Sequence, residues 1–210
     1  MIYGIWDGTK VIASFVVPTV VRSNQPTFSS DTLSLKRVTY RRTAQRWEID
    51  SKLFPLHMTA QDLMVSFIVN GHGETVQAVM PQNVGAKAAK TMTFQIGTSS
   101  AASAYDSTVT IGAVSSGNGK VIPKGTFIRF ADPSHTKVYM LTANAIISGT
   151  APTTLYVYPQ LRKAVPSGTI INYQDDVIIN LKYDTDTVIG MVYEDGILMD
   201  NGVIKLIEAV

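Results

Sequence analysis

The chain of 210 residues contains no cysteine, which excludes disulfide bonds and thiol catalysis and fits a reducing compartment. Charged residues are also scarce, at 16% of the sequence, where about a quarter is usual. No apolar run approaches the roughly 20 residues that span a bilayer. The N-terminus lacks a basic region followed by an apolar run, so we expect no signal peptide and a chain made in the cytoplasm.

Motifs for catalysis and metal binding are missing as well. The three histidines, His57, His72 and His135, have no metal-ligand spacing, and the sequence lacks H-E-x-x-H, G-x-S-x-G and a glycine-rich phosphate loop. The turn at residues 132–135, Asp-Pro-Ser-His, collects hydrolase residue types, but neighbours on a turn rarely point at each other. We therefore predict no catalytic residue, no metal site and no cofactor.

Charge is unevenly distributed along the chain. Residues 1–90 and residues 91–172 each carry a net charge of +4, whereas residues 173–210 carry −6. Opposite patches steer assembly, either within one chain or between neighbouring copies in a ring. The densest basic cluster, which we take as the candidate partner interface rather than a nucleic-acid site, consists of Lys36, Arg37, Arg41, Arg42 and Arg46.

Apolar periodicity predicts a mainly β protein with sandwich or barrel architecture and one short helix. A turn at Asp7-Gly8-Thr9 indicates a hairpin, and Trp47, Ile49 and Ser51 are predicted to face inward from one strand. The helix is predicted over residues 59–71, with an apolar face that packs into the core. Further strands are predicted at residues 33–40, 126–130, 137–143, 154–159, 169–173 and 175–182, followed by a meander over residues 188–207.

Two segments resemble parts of tail proteins of tailed bacteriophages. The first, residues 34–71, has a basic strand, a Gln45-Arg46-Trp47-Glu48 strand, a corner at Pro55 and the predicted helix. The second, residues 125–168, has a Gly-Thr-Phe strand in which Thr126 replaces the family's usual acid, then a Lys-Val-Tyr strand and a Pro-Gln-Leu-Arg corner. Together they cover over a third of the chain in the family's order.

The resemblance implies a virion structural protein of the distal-tail or baseplate-adaptor class, assembled in the host bacterial cytoplasm. It implies that residues 1–88 and 176–210 form a split β-sandwich ring domain, and that residues 89–175 are an inserted β-barrel-like domain. The implied partners are copies of the chain in a ring, the tail tube, and the tail tip or baseplate hub, with no membrane and no specific nucleic acid.

The alternative interpretation is a module of the tail that binds a host-surface glycan. Three tyrosines in the inserted domain, Tyr139, Tyr156 and Tyr158, are the candidate sugar platform. The competing interpretation of the same tyrosines is that they alternate into the core of that domain.

Overall fold

The structure of the protein is a computed structural model, which describes residues 3–31, 37–41, 44–56, 62, 75–82, 94–174, 176–184, 192–194, 197–200 and 202–209. It is mainly β, with 49% strand and 3% helix. The predicted fold class is therefore confirmed. The predicted helix over residues 59–71 lies, apart from Asp62, outside the described residues.

The described part of the chain contains twenty strands. Their bounds are β1 Gly4–Trp6, β2 Val11–Phe15, β3 Val20–Asn24, β4 Thr27–Asp31, β5 Arg37–Arg41, β6 Arg46–Ser51, β7 Leu53–Pro55, β8 Thr75–Val79, β9 Ile96–Gly97, β10 Thr108–Ile111, β11 Val121–Ile122, β12 Phe127–Phe130, β13 Val138–Leu141, β14 Ala145–Ile146, β15 Thr153–Tyr158, β16 Ile170–Asn172, β17 Ile178–Tyr183, β18 Val192–Glu194, β19 Ile197–Asp200 and β20 Ile204–Glu208. A short 3₁₀ helix spans Ser115–Gly117.

Contacts divide the chain into two compact units. The barrel unit comprises Met1–Val11 and Gln77–Asn180, and the sheet unit comprises Ile12–Val76 and Leu181–Val210. The division into residues 1–88 with 176–210, and residues 89–175, stays a prediction.

The barrel unit is built on a six-stranded sheet in the order β10-β15-β13-β12-β16-β9. The sheet curls until its two end strands meet. Gly112 donates its backbone N–H to the carbonyl of Gly97 at 3.0 Å, and Ser99 donates to the carbonyl of Thr110 at 2.9 Å. Thr98 forms a bridge with Ile111 between them. Closure of this kind removes the exposed edges that an open sheet would present.

The inside of the barrel is packed with the apolar residues of alternating strands. In β15, Leu155 and Val157 are buried while Thr154 and Tyr156 are exposed, as the period-two pattern predicts. Phe130 and Tyr139 fill the centre and are completely buried. Burial of each large apolar side chain contributes about 1.5–3 kcal/mol, so the core is the main source of stability in this unit.

A glutamine side chain completes the hydrogen bonding of β12. The amide of Gln82 donates to the carbonyl of Phe127 at 2.9 Å and accepts from the backbone N–H of Phe127 at 3.0 Å. The same amide nitrogen lies 3.3 Å from the carbonyl of Gln174. The Gln82 side chain thus replaces a neighbouring strand as the partner of Phe127. Buried backbone N–H and C=O groups both need hydrogen-bond partners.

The sheet unit contains a run of antiparallel strands in the order β3-β6-β20-β17. A second pairing joins β2 to β7. Trp47, Ile49 and Ser51 are buried on one face of β6, which confirms their predicted orientation. The buried carboxylate of Glu208 accepts a hydrogen bond from the backbone N–H of Trp47 at 3.1 Å, so the C-terminal strand is tied to the first third of the chain.

Candidate assembly surface

The turn at residues 132–135, which contains Asp, Ser and His, has a structural role. The carboxylate of Asp132 accepts the backbone N–H of Ser134 at 2.8 Å, and the N–H of His135 donates to the Asp132 carbonyl at 2.9 Å. The hydrogen bond from the Ser134 backbone holds the pKa of the Asp132 carboxyl below its usual range. The carboxylate is thus committed to shaping the turn, as aspartates in turns usually are.

The imidazole of His135 points into the barrel core. Its Nε2 lies 2.6 Å from the hydroxyl of Tyr139, and its ring stacks edge-on against Phe130 with 5.0 Å between centroids. The Tyr139 hydroxyl also accepts the backbone N–H of Arg162 at 3.0 Å. The Tyr139 hydroxyl thus has a partner on each side, the imidazole of His135 and the backbone of Arg162. Burial lowers the pKa of His135 to about 4, which keeps the ring neutral.

This cluster ties strand β13 to the Pro-Gln-Leu-Arg corner, and the sequence analysis did not anticipate it. The available signal was a histidine four residues before a tyrosine in a predicted strand. Nothing in that spacing shows that the hydroxyl would also meet Arg162, which follows 23 residues later.

The three tyrosines of the sugar-platform hypothesis are not equivalent. Tyr139 is completely buried, so it cannot stack on a ligand, whereas Tyr156 is 51% exposed and Tyr158 is half-buried. Tyr156 lies directly opposite Thr108 on the outer face of the barrel. Of the proposed platform, only Tyr156 offers an open ring face.

Two residues of the basic cluster predicted from sequence, Arg37 and Arg41, lie on β5, which forms a hairpin with β4 that we call the basic hairpin. Thr27 pairs with Arg41 and Asp31 pairs with Arg37, so the register runs over five residues on each strand. Lys36 and Arg42 lie outside the described residues, and only the backbone of Arg41 is described. Arg37 is exposed, and its guanidinium lies 3.4 Å from the hydroxyl of Ser29.

Every hairpin side chain whose burial is described is exposed. These residues are Thr27, Phe28, Ser29, Ser30, Arg37 and Thr39. Phe28 is 53% exposed, which is unusual for a phenylalanine. A two-stranded hairpin is marginally stable by itself in water and gains stability when another layer covers one face.

The fifth residue of the cluster, Arg46, lies elsewhere, on a polar face of the sheet unit. Antiparallel partners point to the same side of a sheet, so the register places this face on alternate residues of β3, β6, β20 and β17. We call it the charged face, and its ionic residues are Arg22, Arg46, Glu48, Asp50, Lys182, Asp184 and Lys205.

Ion pairs cross the charged face from strand to strand. Arg22 meets Asp50 at 2.9 Å, and Lys205 lies 2.9 Å from Asp184 and 3.5 Å from Glu48. The hydrogen bond with Asp184 raises the pKa of the Lys205 ammonium. In addition, the amide of Asn24 donates to Glu48. Each carboxylate of the face therefore has a cation beside it.

The carboxylates lie beneath the cations. The side chains of Glu48, Asp184 and Asp50 are 9%, 15% and 17% exposed, against 34% for Lys205 and 58% for Arg22. Lys182 and Arg46 are also exposed. The more exposed charges on this face are thus the positive ones.

The sequence predicts that the basic N-terminal part and the acidic residues 173–210 could pair, within one chain or between copies. Within the chain, the observed pair has the charges the other way round. Among the described residues, Lys205 of the acidic segment forms an ion pair with Glu48 of the basic segment. Two further acids of that segment, Glu194 and Asp200, lie on the paired strands β18 and β19.

Within the described part of the chain, no group of three or more His, Asp or Glu side chains is placed to hold a metal ion. No helix found there is long and apolar enough to cross a bilayer. No protein-family model matches the chain, and no curated protein matches its sequence. The protein is mainly β, and its described residues include the basic hairpin and the charged face.

Proposed function

We propose that the protein is a structural subunit of a bacteriophage tail, at the tail tip or baseplate, and that it acts by assembling into a ring. Two observations support this proposal: the segments that resemble phage tail proteins, and the basic hairpin formed by β4 and β5. The partners are further copies of the chain and the tail tube, tip or hub proteins that such a ring would join. The assembled protein belongs to the virion.

The basic hairpin is the observation that carries the proposal. Phe28 is 53% exposed on this hairpin, and β5 carries Arg37 and Arg41. Contact with a neighbouring subunit would cover its apolar side chain and satisfy its edge hydrogen-bonding groups. An acidic partner surface would complement the arginines and set the orientation of docking.

Charge reversal on the hairpin tests this function. We expect the double variant Arg41→Glu, Arg42→Glu to stay folded but to lose assembly, with an association constant reduced about tenfold or more. Light scattering measures the mass of the purified chain, and negative-stain images show whether rings form. Circular dichroism checks the fold.

The matched control is the double variant Lys120→Glu, Lys124→Glu, which makes the same charge change on exposed lysines of the barrel unit. It should assemble like the unaltered chain. If the hairpin variant assembles as well as this control, both in isolation and in infected cells, then the basic hairpin is not the assembly surface.

The outer face of β10 and β15 supports a second candidate function, the binding of a host-surface glycan. Tyr156 stands exposed opposite Thr108, and the neighbouring row pairs Thr110 with Thr154. Hydroxyl groups beside an open aromatic ring suit a sugar, which presents both hydroxyls and an apolar C–H face.

Substitution of Tyr156 separates this candidate from assembly alone. If the face binds glycans, the chain should give hits on a glycan array, and Tyr156→Ala should weaken them about tenfold or more because ring stacking is lost. The control is Tyr105→Ala, which removes another exposed tyrosine of the same unit. An array without hits at high avidity would dismiss the glycan function.

A further inference from the structure

A cleft opens on the barrel unit where strands β16 and β9 lie side by side. The register pairs Ile171 with Ile96, and both of these side chains are buried in the core. Neighbours along a strand point to opposite sides of a sheet, so the adjoining residues Gln95 and Asn172 turn outward. The cleft has a volume of about 210 Å³, and the residues that line it include Gln95, Ile170, Asn172 and Asp176.

Three polar side chains of the cleft have hydrogen-bonding capacity to spare. No hydrogen bond joins the Gln95 amide, the Oδ1 atom of Asn172 or the Oδ2 atom of Asp176 to the described residues. The remaining atoms of two of these groups are engaged. The Asn172 amide nitrogen donates to the carbonyl of Asp176 at 3.2 Å, and the Asp176 carboxylate accepts the backbone N–H of Gln174 at 3.0 Å. These two bonds position the open acceptors before any ligand arrives, which lowers the entropy cost of binding.

We propose that this cleft binds one neutral sugar residue of a glycan. A sugar hydroxyl both donates and accepts hydrogen bonds, so it suits a lining in which amides do both and a carboxylate accepts. Ile170, which is 39% exposed, offers an aliphatic contact for the C–H groups of a sugar ring. The volume is below the roughly 300–1,000 Å³ of pockets for drug-sized ligands, so the cleft has room for a single ring.

The charge of the cleft disfavours ionic ligands of either sign. Asp176 is the one ionic side chain among the described residues that line it, and it repels phosphate, sulfate and carboxylate groups. An ammonium group is attracted by Asp176 but carries only donors, so it would face the N–H donors of Gln95 without an acceptor. A neutral hydroxyl matches both side chains.

The cleft is formed by residues other than those of the two candidate functions above. It lies on β16 and β9, whereas Tyr156 lies on β15 and the basic hairpin belongs to the sheet unit. The site therefore goes beyond the proposed assembly function and needs neither of those surfaces. In a ring, each copy would present one cleft, and several weak contacts with a glycan-coated surface would add up to strong attachment.

Saturation-transfer difference NMR on the full-length chain tests the site, because it observes the ligand whether the protein is a monomer or a ring. The probes are the methyl glycosides of glucose, galactose, mannose and N-acetylglucosamine. Methyl glucuronide serves as the anionic comparison, and methylammonium serves as the cationic competitor. We expect saturation transfer to at least one neutral glycoside, none to the glucuronide, and no displacement of the sugar by methylammonium.

Substitutions identify the side chains that hold the sugar. Gln95→Ala should weaken binding of the neutral glycoside about fivefold or more, because a hydrogen-bonding amide is lost. The matched control is Gln160→Ala, which removes another exposed glutamine of the barrel unit and should leave binding unchanged. Asp176→Asn keeps an acceptor for the N–H of Gln174 and removes only the charge. This variant should therefore bind methyl glucuronide, which the unaltered chain rejects.

Several results would overturn the inference. They are an absence of transfer to all four neutral glycosides, equal binding by Gln95→Ala and Gln160→Ala, displacement of the sugar by methylammonium, and rejection of methyl glucuronide by Asp176→Asn. Loss of binding in Tyr156→Ala with full binding in Gln95→Ala would place the sugar on β15 instead of in the cleft. Ring assembly is measured separately, so rings that form without sugar binding would leave the subunit function standing and remove the site.

Discussion

Replacement of Tyr139 by phenylalanine is expected to lower the free energy of unfolding by about 3 kcal/mol. The substitution keeps the buried ring and removes only the hydroxyl, which links Nε2 of His135 at 2.6 Å to the backbone N–H of Arg162 at 3.0 Å. The buried imidazole and the partly buried N–H of Arg162 would both lose that partner. Each buried polar group that loses its hydrogen bond costs about 1–3 kcal/mol, which gives the expected sum.

Urea unfolding followed by tryptophan fluorescence and circular dichroism measures this change. The control is Tyr156→Phe, which removes the hydroxyl of a tyrosine that is 51% exposed on the same barrel and should change stability by under about 0.5 kcal/mol. Equal unfolding curves for the two variants would show that the hydroxyl of Tyr139 contributes nothing. A loss confined to Tyr139→Phe would identify the tie between β13 and the corner as a main source of barrel stability.

Much of the strand pattern could be predicted because it is local. The alternation of residues 153–158 predicts a strand with Leu155 and Val157 inside, and the structure places them there. Closure of the barrel could not be predicted in the same way. It depends on a bridge from Thr98 to Ile111 and on two backbone hydrogen bonds beside it. The small residues that follow Thr98 show no apolar periodicity from which this pairing could be predicted.

The charged face shows the same limit of sequence reasoning. The alternation of charged and apolar residues in β6 already places Arg46, Glu48 and Asp50 on the face opposite Trp47 and Ile49. The neighbours of β6 are β3, which is close in sequence, and β20, which begins more than 150 residues later. Only the register of β20 brings Lys205 beside Glu48, so the cluster predicted from nearby cations in the sequence includes just Arg46 from this face.

Protonation of His135 supplies the second large effect, a loss of stability in mild acid. The pKa of the folded-state imidazole is lowered from 6.5 to about 4, mainly by burial; nearby Lys163, Arg129 and Arg162 also lower it, and Asp132 opposes them. The unfolded chain therefore binds this proton first as the pH falls. The stability that the neutral ring provides is complete above about pH 6.5, declines between that value and pH 4, and is absent below.

Between about pH 8 and pH 5 this one group should cost roughly 2 kcal/mol of unfolding free energy. The comparison is with His135→Gln, which does not titrate in this range and can still hydrogen-bond to the Tyr139 hydroxyl. The carboxylates and the other histidines are the same in both proteins, so their contributions to the pH dependence cancel. The difference in unfolding free energy between the two should shrink by that amount at the lower pH.

An NMR titration measures the folded-state pKa of His135 directly, and its imidazole resonances should move near pH 4. A midpoint near 6.5 would mean that the ring is exposed to water or that its protonated form has a partner, and the acid sensitivity of the barrel would then have to arise from the carboxylates. A midpoint near 4 would establish that the His135 cluster is a part of the core that is stable only when neutral.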